Sequence, residues 1–202
     1  DFKDAIINTR LDFSEETYFK TDDKYCSCIY LKQLPGQLTD RFLVSLSNLP
    51  VKMMCSIDAA PISDKDVDDM LKGIYLGIED RIRKQNKTRV KEMNFNSDIS
   101  LSVKMEKDTV EQMIKEKNEE DQHFFYTMLN IVVIADSLEQ LKKDCELIFI
   151  TARNKSCVFD YSYMRQREAL NTILPIGVRN VSNGRTLQTK SLASLFPFNV
   201  QE

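Results

Sequence analysis

Apolar and polar positions change period several times along the chain, and each change marks an element. Residues 25–34, YCSCIYLKQL, are rich in aromatic and β-branched types. They lie between a polar turn at 21–24 and Pro35-Gly36, which predicts a strand. Shorter strands are expected at 9–13 and 18–20. Thr39 is a helix N-cap candidate, and Phe42, Leu43 and Leu46 share one helical face that stops at Asn48-Leu49-Pro50. Period two returns at 51–57. There Val51, Met53, Cys55 and Ile57 point one way and Lys52, Ser56 and Asp58 the other, which predicts a half-buried strand ended by Ala59-Ala60-Pro61.

The clearest amphipathic stripe follows. Ser63 caps it, and Val67, Met70, Leu71, Ile74, Ile78 and Ile82 recur at three and four residues before the pattern fades near Asn86. A second helical stretch, 107–117, carries Val110, Met113 and Ile114 on one face. Residues 123–135, HFFYTMLNIVVIA, are apolar on both faces and read as a central strand buried on both sides. Ser137 then caps a helix striped by Leu138, Leu141, Cys145, Ile148 and Ala152, with Gln140 three residues on in a capping-box arrangement. A strand at 156–161, a helix at 164–172 and a polar tail complete the chain. The order from 25 to 161 is two βαβ units. It predicts an α+β fold: a ferredoxin-like sheet with helices on one face, preceded by short N-terminal strands. The whole chain, 1–202, is expected to be one domain with its core at 25–163. The helical pair at 63–117 is an insertion, and 164–202 is a C-terminal extension.

Composition narrows the partners. With 28 basic and 31 acidic side chains there is no general basic excess of the kind a nucleic-acid binder shows. The longest apolar run, 131–135, is far short of the ~20 residues of a membrane span. Five cysteines, an odd number, fit a reducing compartment better than a disulfide framework.

Motifs for chemistry are sparse. Gly36, Gly73, Gly77, Gly177 and Gly184 form no phosphate-binding loop, so no nucleotide site is expected. Gly73 and Gly77 read as close helix packing. Cys26 and Cys28 fall on one side of a strand and read as core residues, since no second ligand pair completes a zinc site. His123 is the only histidine, with no placed nucleophile beside it. Asp64, Asp66, Asp68 and Asp69 fail the calcium-loop pattern and suit a helix N-terminus. No catalytic, metal or cofactor residues are therefore assigned. The one candidate contact set is basic: Arg81, Arg83, Lys84, Lys87, Arg89 and Lys91. It reads first as a solvated helix end and second as a nucleic-acid contact, with few aromatics beside it to stack bases.

The closing stretch adds a resemblance. Gln166, Leu174-Pro175-Ile176-Gly177, Arg185-Thr186-Leu187-Gln188-Thr189, then Ser191-Leu192-Ala193-Ser194-Leu195-Phe196-Pro197-Phe198 resemble the N-terminal region of VirB/TrbE/TraC-type conjugation ATPases of type IV secretion systems. The order of strands and helices before them is similar too. The resemblance implies a non-catalytic docking and assembly domain ahead of a RecA-like motor that would begin after Glu202, so that the chain is a piece of a longer one. ATP and magnesium are expected only at that motor, and this part is expected to be no enzyme. Its partners would be membrane components of the secretion channel, sister ATPase subunits and the transferred DNA. No small-molecule substrate is expected. Its place would be cytoplasmic, peripheral at the inner face of the cell membrane. A nucleic-acid module using 81–91 and a stand-alone ligand-binding domain remain the alternatives.

Overall fold

The computed structural model describes residues 10–35, 41–91, 99–120 and 122–195, with the backbone alone for Arg41, Arg89 and Lys91. The expected cap at Thr39 and the motif end at Phe196-Pro197-Phe198 lie outside the described residues. The protein is mixed α+β and divides into two compact units, one of Asp1–Ala60 with Tyr126–Glu202 and one of Pro61–Phe125.

The first unit holds an antiparallel sheet. Its strands are β1 (Phe19–Lys20), β2 (Tyr25–Gln33), β3 (Met53–Pro61), β4 (Phe124–Ala135), β5 (Val158–Tyr161) and β6 (Arg185–Gln188), in the order β1-β2-β4-β3, with β5 on β2 and β6 on β4. β2 pairs with β4 from Tyr25↔Ala135 to Tyr30↔Asn130. It also pairs with β1 at Tyr25 and Cys26, and with β5 from Ile29 onward. β2 and β4 are central because their sequences are apolar at both parities, and in a pleated strand alternate residues face opposite sides.

Both faces of that sheet are covered. On one face Ser27, Ile29 and Leu31 align with Phe159 and Tyr161 through the register. Two helices close it: α1 (Arg41–Ser47) and α4 (Leu138–Arg153). Phe42 stacks on Phe159 at 6.3 Å, Phe149 meets Tyr161 edge-on at 5.1 Å, and Ile148 and Cys145 are buried beneath. Ser137 caps α4 by accepting from the Gln140 N–H at 3.2 Å. The Gln140 side chain donates forward to Asp144 at 2.7 Å.

The opposite face corrects an expectation. Helices were expected on one face only. However, α5 (Gln166–Ile173) lies on the second, where Ala169 and Ile173 pack with Cys26, Cys28, Val132, Phe19 and Val181. Cys26 and Cys28 of β2 are apolar and need a cover, and the C-terminal extension supplies it. That extension also contains β6 and the short helix α6 (Thr189–Ala193), which the polar sequence after Ser182 did not suggest.

α5 is locked to β2 by one side chain. The Gln166 amide oxygen accepts the Cys28 N–H at 2.7 Å, and its NH2 donates to the Cys28 carbonyl at 3.2 Å and to the Ser162 carbonyl at 3.0 Å. Gln166 is 2% exposed. β1 stops at Cys26 and β5 starts opposite Ile29, so the side-chain amide takes the place of a missing strand residue between them.

Other expectations shift at the ends of elements. Residues 10–13 contribute only a single bridge, Asp12↔Lys20. β3 runs on through Ala59, Ala60 and Pro61. It ends the sheet path, where a proline's missing donor costs no ladder bond. Cys55 is exposed and Ile57 half-buried, so β3 lacks the clean one-sided burial its alternation suggested.

The second unit is a helix pair, α2 (Asp64–Lys91) and α3 (Leu101–Glu119), both longer than their apolar stripes. Val67, Leu71 and Ile78 of α2 are buried with Val103 and Val110 of α3 and Phe124. The two run antiparallel, as shown by Asp68 with Lys117, Glu79 with Lys107 and Arg81 with Glu106.

Two substitutions test this account. Gln166→Leu keeps the volume and removes all three bonds, leaving the Cys28 N–H buried without a partner. It should cost about 2–3 kcal/mol in urea unfolding. Gly184 accepts no side chain, since a Cβ there would come within 2.6 Å of the Tyr126 ring. Gly184→Ala should lower stability by about 1–3 kcal/mol, read by thermal unfolding.

Candidate functional site

Four side chains of the basic run are described, Arg81, Arg83, Lys84 and Lys87. α2 carries all six cations, and successive residues on a helix turn by about 100°. Arg81 faces α3 and pairs with Glu106. Arg83 lies 3.9 Å from Asp80 on its own helix. Arg83 and Lys87 border an open depression of about 530 Å3 with Glu79, Ile82, Asn86 and Val90, and Lys84 is exposed. The side chains of Arg89 and Lys91 lie outside the described residues. Acidic Glu79 and Asp80 precede the run, and Lys107 from α3 holds Glu79 at 2.6 Å. Of the four described cations, Arg81 and Arg83 each stand beside a carboxylate.

The acidic run has a structural task. The Ser63 hydroxyl accepts the Asp66 N–H at 3.2 Å and donates to the Asp66 carboxylate at 2.6 Å, which caps α2. Asp64 and Asp66 fill the first turn, where the helix dipole favours anions. Among the described residues no group of three or more His, Cys, Asp or Glu is placed to hold a metal. His123 is exposed at the start of β4.

The thiols are held as neutral core groups. Cys28 is fully buried, and burial raises its pKa. Burial likewise pushes Cys26, Cys145 and Cys157 up to about 11. The Tyr161 hydroxyl is also raised, first by burial and then by its neighbour Cys145.

Sequence reasoning missed the most accessible feature of the first unit. β3 is the last strand of the sheet path. Residues 54–59 of β3 form one wall of a groove of about 850 Å3, and residues 172–175 and 177–179 form the other. The LPIG motif therefore belongs to a groove wall. Gly177, at φ 72°, supplies the left-handed turn in it. The Arg179 guanidinium grips Asp58 through two nitrogens and pins the wall to the strand. Met54, Leu174, Ile176 and Val178 stay exposed around it. The signal in the sequence was the near absence of charge in 53–61, with Asp58 alone.

No protein-family model matches the chain, and no curated protein matches it.

The thiol assignments predict a chemical pattern. Cys55 is exposed, although the groove walls still hold its proton to about 11. In the native protein a thiol reagent should modify Cys55 alone, counted by mass spectrometry. The rate should rise about tenfold per pH unit from 8 to 10 as its thiolate forms. The other four should react only in denaturant.

Proposed function

We propose that this chain is a docking and assembly domain, and that it receives a partner segment at the β3 edge. The edge and groove at residues 54–59 carry this reading. An exposed edge strand offers a row of ladder groups, and proteins usually protect such edges with lysines, bulges or covering elements. β3 has no lysine, and its one charge is engaged by Arg179. An extended peptide entering the groove would add a strand by main-chain bonds and place alternate side chains against Met54 and Leu174.

The resemblance to type IV secretion ATPases gives the partner. The domain would hold the motor to membrane components of the channel or to sister ATPase subunits, peripherally at the inner face of the cell membrane. No helix among the described residues is long and apolar enough to cross a membrane, so a membrane position would come through such a partner. Chemistry would belong to the motor, with ATP and magnesium there. The same reading takes the sheet as ferredoxin-like. Its support is the neighbour order β5-β2-β4-β3 and the placing of α1 and α4 on one face. The helix pair of the second unit is then an insertion between two strand-helix-strand halves.

Met54→Lys and Cys55→Lys put charge on an already exposed edge. They should leave thermal stability within about 0.5 kcal/mol of the parent. They should abolish capture of the channel's membrane subunit in a pull-down. Capture equal to the parent's, or ATP hydrolysis by this domain at a motor-like rate, would sink the reading.

A further inference from the structure

A second cleft, of about 410 Å3, opens on the side of the sheet that the C-terminal extension covers. Tyr30 and Asp160 stand side by side in the β2–β5 register and form its strand wall. Ser162, Arg165, Asn183 and Arg185 add polar lining to it. Ser162 is 7% exposed, and its hydroxyl has no hydrogen-bond partner. The Asn183 amide oxygen is also buried without a partner, while its NH2 donates to buried Asn130 at 2.9 Å. Leaving the Ser162 hydroxyl unpaired costs free energy, and an acceptor in the cleft would take its proton.

The charge around the cleft gives the occupant's sign. Arg165 spends one guanidinium nitrogen on the Asn180 carbonyl at 2.8 Å. Arg185 spends two on the Lys32 carbonyl, at 2.9 and 2.7 Å. A guanidinium has five N–H donors, so both arginines retain free ones. Arg165 is also the N-cap residue of α5. The one carboxylate is already matched. Asp160 accepts from the Lys32 ammonium at 2.7 Å and from the Tyr161 N–H at 2.9 Å.

We infer that this cleft binds a small oxyanion, the phosphate or carboxylate of a soluble ligand, between Arg165, Arg185 and the Ser162 hydroxyl. The site is separate from the β3 groove and does not rest on the docking reading.

The test is calorimetric titration of the chain with inorganic phosphate, against sodium chloride at matched ionic strength. Saturable heat with phosphate alone is expected. Ser162→Ala removes a hydroxyl with no protein partner. It should therefore fold with undiminished thermal stability and bind phosphate at least about tenfold more weakly, one lost bond to a charged group. Arg165→Gln should weaken binding by at least as much. Glutarate identifies the source: competition with phosphate indicates a carboxylate ligand, and failure to compete indicates a phosphate. Heat equal to that of chloride, or full affinity in the folded Ser162→Ala variant, would overturn the assignment and leave the docking reading untouched.

Discussion

The Gln166 amide holds the two layers of the first unit together. A β-strand can be paired along an edge only as far as its neighbours extend, and between β1 and β5 the Cys28 carbonyl takes the Ser162 N–H at 3.0 Å while the Cys28 N–H meets no backbone acceptor. A buried peptide group without partners is costly. A primary amide has the same donor and acceptor as a peptide, so one side chain closes the ladder. The same amide sits at the first position of α5 and fixes where that helix meets the sheet. The site of Cys28, the start of α5 and the burial of Ala169 are thus one arrangement.

From that arrangement follows a difference between the two faces. The α1–α4 face is closed by apolar and aromatic packing, with Phe42 on Phe159 and Phe149 on Tyr161. The α5 face is apolar only near Cys26, Cys28 and Val132. Farther along β4 the extension is fastened by polar contacts: Asn183 to Asn130, the Gly184 N–H to the Tyr126 hydroxyl, and Arg185 to the Lys32 carbonyl. Such bonds each contribute about 1 kcal/mol and depend on geometry. The apolar burial of Ile29, Ile131 and Ile148 contributes roughly 1.5–3 kcal/mol per side chain. The first face sets stability, and the second sets which surfaces stay open.

The sequence revealed the elements better than their partners. The periods of β2, β4, α2 and α4 are strong because each carries a long apolar pattern, and the Ser63 and Ser137 caps stand where small hydroxyls precede those patterns. The α5 cover was not legible. Its decisive contact is one polar side chain at a sequence separation of 138, and no local periodicity encodes such a contact. β6 and α6 escaped for the same reason, since Arg185–Gln188 reads as polar and is a strand only because β4 lies beside it. Of the basic run, Arg81 is turned onto Glu106, a pairing between helices that the composition of the run does not show. Neither the groove nor the cleft was legible as a site, because each joins segments more than a hundred residues apart, and LPIG alone does not show that it faces β3.

The polar fastening of the extension also explains why both open sites lie beside it. A segment seated on apolar surface fills every gap, because each void forfeits contacts. A segment seated on directional bonds touches at the bonds and spans the space between them. Residues 172–185 are fixed at Thr172, whose hydroxyl accepts the Asn180 N–H at 3.0 Å, at Arg179 on Asp58, and at Asn183 on Asn130. On one side of those anchors the groove along β3 stays open, and on the other the cleft around Ser162 does. The groove takes residues 172–175 and 177–179 as its wall and the cleft takes residues 181–183 and 185, so the two sites have no lining residue in common.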